Sequence, residues 1–431
     1  MKKIFSLILA AVIVFTLSVP AFAANPVEAP DWWLENWNER ESASGKMWQL
    51  PGEKENDRVF SWLSSDLNNS FVYSDGEESI TIIPERKIAL TGFMNTVRLS
   101  ALADGTYTYT YTADKKTYEG AFTVAAADSS FTAAFCSDPQ LGRSDNNSEK
   151  AVQDDTYGWE RTLNSAYANG AELILSTGDQ VNEGFSISQY NALFSPEVLK
   201  NVPFAPTSGN HDFYSFLFPL YFSAAGVKEV TNDYYFSYGN ALFIVLDSNN
   251  IVSPMHMTTI NNAVNAYPDA TWRVVMMHHG AYSSCAEGDI ITALCAGTLK
   301  STFDRYDIDL VLSGHNHFYS RTYPIFNGTI SANGTVYFEA GSASGGKCSH
   351  YDTSEAEYIV HSYDLSEASY SLLTFNEDTI EVNSYKTDSG ELFDSFTVVN
   401  TQKNDTQHLG IFTAIVHFFE KLLSLIPVLF N

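Results

Sequence analysis

Five short runs of this 431-residue chain end in residues of the kinds that hold metal ions. His315 and His317, one residue apart, follow the apolar stretch Ile308–Leu312. The pair His278-His279 follows Trp272–Met277, and Asn210-His211-Asp212 follows Val202–Pro206. Asp179 follows Glu172–Ser176, and Asp138 follows Phe131–Cys136. The six candidate ligands are Asp138, Asp179, Asn210, His278, His315 and His317. This mix of carboxylate, amide and imidazole suits iron, zinc or manganese better than calcium or thiolate-seeking copper. Two such cations side by side repel one another unless an anion lies between them, and Asp179 has one carboxylate oxygen for each. A cation pair of this kind polarises a phosphate and lowers the pKa of a bound water, and the resulting hydroxide attacks phosphorus in line with the leaving oxygen. His211, directly after a ligand, falls beside the pair without belonging to it. An imidazole there can protonate the leaving alkoxide or steady charge on a phosphoryl oxygen.

Taken singly these runs say little. An aspartate after a strand is usually a turn or a helix cap, and Gly-Asp is usually a turn. Their weight comes from recurrence: five runs, each just past the end of an apolar strand. In layered α/β folds the carboxyl ends of strands gather along one edge, where ligands bind. The strands expected are Phe131–Cys136, Glu172–Ser176, Val202–Pro206, Ala241–Leu246, Trp272–Met277, Ile308–Leu312 and Val336–Phe338, with helical spacing over Ser148–Tyr167 and Met257–Tyr267. Residues 128–400 therefore read as an α/β layered domain, two central sheets flanked by helices.

Ahead of it, residues 58–127 read as short antiparallel strands. Thr106–Tyr111 alternates strictly after the turn Asp104-Gly105, and Arg58–Trp62, Ser79–Ile82 and Glu119–Val124 are rich in strand formers. That pattern predicts a small all-β sandwich of the immunoglobulin/fibronectin kind. Residues 24–57 form a leader in which Trp32, Trp33, Trp37 and Trp48 recur. Packing onto a neighbouring domain explains these rings better than carbohydrate binding does.

Residues 1–23 have the build of a secretory signal: Lys2 and Lys3, an apolar run from Ile4 to Val19, then Ala21-Phe22-Ala23. A short membrane anchor is the other reading of that run. A secreted or cell-surface chain is expected, and in such a setting Cys285 and Cys295 could bridge the short loop between them. Cys136, inside an apolar strand, reads as a small buried hydrophobe. The net charge is −27, and loss of the signal segment makes it two units more negative. That excludes nucleic acid as an expected partner, because backbone phosphates require clustered Lys and Arg. It also means that attraction for an anionic phosphate ester must come from a local group of cations. The tail, residues 401–431, is apolar over Leu409–Phe430 but carries Glu420 and Lys421 mid-way, which disfavours a spanning helix. Contact with a membrane surface over 409–430 and docking onto the protein itself fit the tail equally well.

The runs Gly178-Asp179, Gly209-Asn210-His211-Asp212, Met277-His278-His279-Gly280 and Gly314-His315-Asn316-His317 resemble those of the calcineurin-like metallophosphoesterases. Within that family, Phe318–Pro324 and the preceding β-sandwich resemble the purple-acid-phosphatase-like branch. The resemblance implies that Asp138 and His317 hold a first metal, Asp179 bridges, and Asn210, His278 and His315 hold a second. It makes His211 the proton donor and puts His279 behind the ligands. It implies an exported hydrolase of phosphomonoesters, with a phosphodiesterase or nucleotide hydrolase on the same site, or a non-catalytic surface protein, as the alternatives. Two positions depart from the family pattern. Gln140 stands where many members have His, and Asn182 stands where purple acid phosphatases have the Tyr that colours them. Amide oxygens of Gln140 and Asn182, or water, would then complete the first metal's shell. That weakens the first metal, favours harder cations, and predicts no visible tyrosinate band in the iron-loaded protein. Arg143, Arg321 and Lys347 are candidate substrate contacts, although each reads more simply as surface charge.

Overall fold

A computed structural model of the protein describes residues 27–42, 45–125, 130–222, 226, 231–250, 253–282, 290–349, 357–363 and 365–400. The expected signal segment (1–23), the apolar tail (401–431) and Cys285 of the expected disulfide lie outside the described residues. Among the described residues, no helix is long and apolar enough to cross a membrane.

Strict alternation builds the first part of the fold. In Gly105–Ala113 the tyrosines 107, 109 and 111 point inward and are buried, while the threonines between them face out. This strand lies in a four-stranded antiparallel sheet in the order Ser79–Ile82, Phe71–Ser74, Gly105–Ala113, Lys116–Val124. A second antiparallel sheet runs Met47–Pro51, Arg58–Ser64, Gly92–Leu99, Glu85–Ala89. Phe60 of one sheet packs on Phe71, Tyr109 and Phe122 of the other, with ring centroids 4.9 to 5.3 Å apart. The outer strand Met47–Pro51 comes from the tryptophan-rich stretch. Its Trp48 stacks on Phe194 at 3.7 Å, and Tyr109 Oη donates to the Lys200 carbonyl at 2.9 Å, so these sheets are fastened to the following α/β part. Trp33 and Trp37 are also buried in that larger core, whereas Trp32 is exposed.

Two mixed sheets make the α/β part. In the six-stranded sheet, Phe204–Pro206, Leu173–Ser176 and Phe131–Cys136 run parallel, followed by antiparallel Ser369–Phe375, Thr379–Lys386 and Leu392–Val399. In the seven-stranded sheet, Ala241–Leu246, Trp272–Met277, Leu310–Ser313 and Val336–Glu339 run parallel, flanked by antiparallel Tyr234–Tyr238 on one side and by Tyr319–Thr322 and Ile359–Tyr363 on the other. Side-chain period 2 divides each inner strand between two cores. Phe243 and Val245 join Ala133, Phe135, Leu173 and Leu175 between the sheets. Leu242, Ile244 and Leu246 face the other way, onto Ile260 and Ala263 of the helix Ser253–Ala266 and Leu299 and Phe303 of the helix Ile290–Arg305. The helix Glu149–Ala168 covers the six-stranded sheet with Val152, Trp159 and Leu163, and Ser148 caps its first turn. Each fully buried Leu, Val or Phe in such layers contributes about 1.5–3 kcal/mol.

The seven expected α/β strands lie within two residues of the observed ones at each end. The antiparallel strands of 369–399 were not expected, because their inward faces carry serines. Ser371 and Ser384 meet across the sheet, Oγ to Oγ at 2.8 Å, which satisfies both hydroxyls inside.

Candidate metal centre

Every candidate ligand leaves the carboxyl end of a parallel strand, and the two sheets aim those ends at one another. Asp138 follows Phe131–Cys136, Asp179 follows Leu173–Ser176, and Asn210 follows Phe204–Pro206, all from the six-stranded sheet. His278, His315 and His317 follow Trp272–Met277 and Leu310–Ser313 of the seven-stranded sheet. The turns that bring them together are strained. Asp138, Gln140, Asp179, His315 and His317 all have φ between +39° and +77°, a region L residues seldom adopt. Surrounding hydrogen bonds hold them there: Asp138 N donates to the Gly178 carbonyl at 3.2 Å and Gln140 N to the Asp179 carbonyl at 2.8 Å. Gly314 must lack a side chain, because a Cβ there would collide with Ser137 Oγ and the Asp138 carboxylate.

The donors form two groups. In one, Asn210 Oδ1 lies 3.1 Å from His278 Nε2 and 3.1 Å from His315 Nδ1, and those two nitrogens are 3.3 Å apart. His278 Nδ1 lies 2.8 Å from the Thr177 carbonyl, so that nitrogen carries the hydrogen and Nε2 faces the group. In the other, donor atoms of Asp138, Asp179 and His317 all lie within 4.8 Å of one another, and all three residues are buried. Asp179 touches both groups: its Oδ1 is 3.4 Å from His278 Nε2, and its Oδ2 faces His211 Nε2 at 3.9 Å.

Buried atoms without partners mark the Asp138 side. Asp138 Oδ1, Gln140 Oε1, Asn182 Oδ1 and His317 Nδ1 are all inaccessible and have no hydrogen-bond partner. Orphans of this kind are costly unless something binds them. Asn182 is fixed with its oxygen as the free end, because its Nδ2 donates to Asn147 Oδ1 at 2.7 Å. The donor set as a whole fits two metal ions. His279 groups with His278 and His315 within the same 4.8 Å limit, yet its Nδ1 pairs with Ser248 Oγ at 2.8 Å. Its ring lies tilted against that of His315, with ring centroids 4.4 Å apart and 50° between the planes.

Electrostatics follow the same division. Burial would lower the His278 imidazole, but Asp179 and Asp138 outweigh it and hold it up at about 10 with protein groups alone. Burial raises Asp138. Burial also opposes ionisation of Asp179, but His278 and His211 prevail and keep it well below the usual carboxylate range. His317 is held well below an ordinary imidazole by burial, helped by the positive charge of Lys347 and, more weakly, Arg143. Lys347 is itself lowered by burial and by Arg143, against the pull of Asp138 and Asp179. Arg143 and Lys347 therefore bring positive charge to the Asp138 side. Arg321 does not: its Nε binds Asp394 Oδ2 at 2.6 Å, a pairing that accounts for its charge.

His211 is half-buried at the edge of the centre. Its backbone N donates to Asp179 Oδ1 at 2.9 Å, and its Nδ1 lies 2.7 Å from the Asn182 carbonyl. Nδ1–H is thereby committed, and Nε2 is the atom free for chemistry.

Residues 131–319 match the family model of the calcineurin-like phosphoesterases. This stretch carries a calcineurin-like phosphoesterase domain. Its fold is shared with the purple acid phosphatase PPD1 from yellow lupin (Lupinus luteus) seeds, at 16% identity and a TM-score of 0.67 over 83% of this chain and 74% of that one. It is also shared with PhoD, at 13% identity and a TM-score of 0.57 over 94% of this chain and 100% of that one. A barley (Hordeum vulgare) protein named nucleotide pyrophosphatase/phosphodiesterase is 28% identical over 116 residues, which are 23% of this chain. The chain spans only 30% of that relative's length. With that domain and the grouped His and Asp donors, the chain carries the parts of a metal-dependent phosphoester hydrolase.

Sequence reasoning passed over several residues that hold this centre in place. Asp155 accepts from Gly142 N at 2.9 Å and Ser144 N at 3.2 Å, which shapes the loop after Gln140, and burial pushes its carboxyl up to about 7. The signal was an acid on the apolar stripe of the helix, between Val152 and Trp159. Asp212, buried, accepts from Gln180 N and Gly209 N and ties two ligand loops together. Asn147 and Ser248 left no such signal, because a lone Asn or Ser in a polar loop is unremarkable.

Proposed function

We propose that the chain is an exported phosphomonoesterase of the purple-acid-phosphatase-like kind, acting at the cell surface or outside it. The observation that carries the reading is the position of Asp179, which touches both donor groups and His211 at once. Two cations bound by these groups would supply Lewis acidity and lower the pKa of a water. The protein's own residues supply the rest. Asp138, Gln140, Asn182 and His317 would hold the first ion, and Asn210, His278 and His315 the second. His211, with Nδ1–H given to the Asn182 carbonyl, presents Nε2 to pass a proton to the leaving oxygen. Arg143 and Lys347 place two positive charges beside the Asp138 side, which favours a doubly charged monoester over a singly charged diester.

Export is supported by the secretory pattern of residues 1–23, and the two small antiparallel sheets are read as an immunoglobulin/fibronectin-like sandwich. A membrane surface for residues 409–430 belongs to the same proposal. The barley relative's name is the observation favouring a diester or nucleotide substrate as the second reading. Chromogenic monoester and diester substrates, assayed with the wild type and His211→Asn, separate the readings. A monoester preference and a loss of roughly 10²–10⁴-fold in His211→Asn are expected. Equal rates on both esters would overturn the monoester reading, and no turnover of either by the metal-loaded protein would overturn the enzymatic one.

A further inference from the structure

The loop that carries His211 continues into Phe213, Tyr214 and Phe216, and all three rings are turned outward. The reason is local. Asp212, Ser215 and Leu217 point inward and are buried, so the residues between them must face solvent. The turn is secured by Asp212 N and Phe213 N, both donating to the Gly209 carbonyl at 3.1 and 3.0 Å. A second loop presses against it at Gly184, where a Cβ would come within 2.5 Å of the His211 carbonyl and 3.0 Å of Ser215 Cβ. The next residue, Phe185, is therefore carried to Phe216, with ring centroids 5.9 Å apart. Phe185, Phe213, Tyr214 and Phe216 are 56%, 44%, 62% and 53% exposed. Among the described residues only one other phenylalanine, Phe326, is an exposed large hydrophobe. Three of these four exposed phenylalanines thus crowd the rim beside His211. Exposed apolar groups gathered next to a site mark a binding surface.

The rim also has a side. The Tyr214 hydroxyl is raised by burial and then by the charges of Asp179, Asp212 and Glu183, so it stands within electrical reach of the bridging carboxylate. Arg143 and Lys347 lie toward Asp138 instead. Positive charge for the phosphoryl group and aromatic surface for what it is attached to thus occupy different sides, with His211 adjoining the aromatic one.

We propose that Phe185, Phe213, Tyr214 and Phe216 form a stacking subsite for a planar aromatic ring carried on the leaving group, such as a nucleoside base or an aryl alcohol. The inference rests on the phosphomonoesterase reading. His211 delivers its proton to the leaving oxygen, so the leaving group is the part of the substrate that meets the residues following His211. A neutral ring suits this rim better than a second anionic group, because the carboxylates of Asp179 and Glu183 reach it.

Adenosine 5′-monophosphate, para-nitrophenyl phosphate and glycerol 2-phosphate, compared on the metal-loaded protein, test this. The two aromatic esters are expected to exceed glycerol 2-phosphate in kcat/KM by about tenfold or more, mostly through KM. Comparison of the first two distinguishes a base from a simple aryl ring. Phe213→Ala combined with Phe216→Ala should collapse that ratio about tenfold, Phe216→Trp should keep it, and the distant exposed Phe326→Ala should leave it alone. Hydrolysis of all three esters at one rate, or a ratio that survives the double variant, overturns the subsite while leaving the phosphomonoesterase reading intact. Should no ester turn over, calorimetric binding of adenosine 5′-monophosphate against ribose 5-phosphate decides the subsite by itself: tighter binding of the former, lost in the double variant, supports it, and equal binding overturns it.

Discussion

The two donor groups lie side by side and share Asp179, yet they are built differently. Around Asn210, His278 and His315 the donor atoms already converge to 3.1–3.3 Å, and His278 is braced from behind by the Thr177 carbonyl. Around Asp138 and His317 the neighbouring donors are the amides of Gln140 and Asn182, and four polar atoms are buried without partners. The first arrangement is imidazole-rich and pre-organised by the backbone. The second is oxygen-rich, and its unpartnered buried atoms are ones a cation would engage. The contrast teaches that two donor groups sharing one carboxylate can differ in donor chemistry, imidazole on one side and carboxylate and amide oxygen on the other.

The largest test of this contrast removes what the groups share. Asp179→Asn should leave less than one metal per chain by elemental analysis and cut turnover by about a thousandfold or more. Retention of two metals would show that Asp179 does not bridge. Next, Gln140→Ala with Asn182→Ala should weaken the first ion roughly a hundredfold while the second stays, so that mild chelation yields one metal per chain. Loss of both ions in parallel would erase the distinction between the groups. A smaller effect is expected from Asn147→Ala, which frees the Asn182 amide to turn: about tenfold weaker binding of the first ion, read by competition with a chromophoric chelator.

The smallest test stands outside both groups and separates acid unfolding from acid loss of metal. Burial opposes ionisation of Asp394, but hydrogen bonds from Arg321 and Tyr319 prevail and lower its pKa. A carboxylate with a depressed folded-state pKa contributes stability that is fully present above the unfolded value of about 3.9 and is lost as pH falls through the folded one. Asp394→Asn should therefore cost about 2 kcal/mol at neutral pH, and the gap to wild type should close below about pH 4. A gap unchanged by pH in chemical denaturation would refute the assignment.

Much of the centre is legible in the chain because metal ligands need particular donor atoms, and strands are short and apolar enough to mark their own ends. Asp138, Asp179, Asn210, His278, His315 and His317 could be picked out in that way. Gln140 and Asn182 were visible only as departures from a resemblance, since an amide serves equally well in any polar loop. Asp155 and Asp212 were harder still. Asp155 shows only as an acid on an apolar helix stripe and Asp212 looks like an ordinary loop acid; their hydrogen bonds to the loops that carry the ligands appear only in the fold. The serine-lined strands of 369–399 were missed for a related reason: their inward residues satisfy one another across the sheet, a pairing that no single strand displays.

Local chemistry alone thus determined which side chains can bind cations, that they follow apolar strands, and that His211 adjoins one of them. The tertiary structure decided which donors face each other, that Asp179 reaches both groups, that Arg321 is spent on Asp394 while Arg143 and Lys347 face the centre, and that four aromatic rings meet beside His211. The physical reason is range. Donor type and strand propensity are properties of a residue and its neighbours, whereas convergence depends on two sheets packing their inner faces together, which brings in residues far apart in the chain.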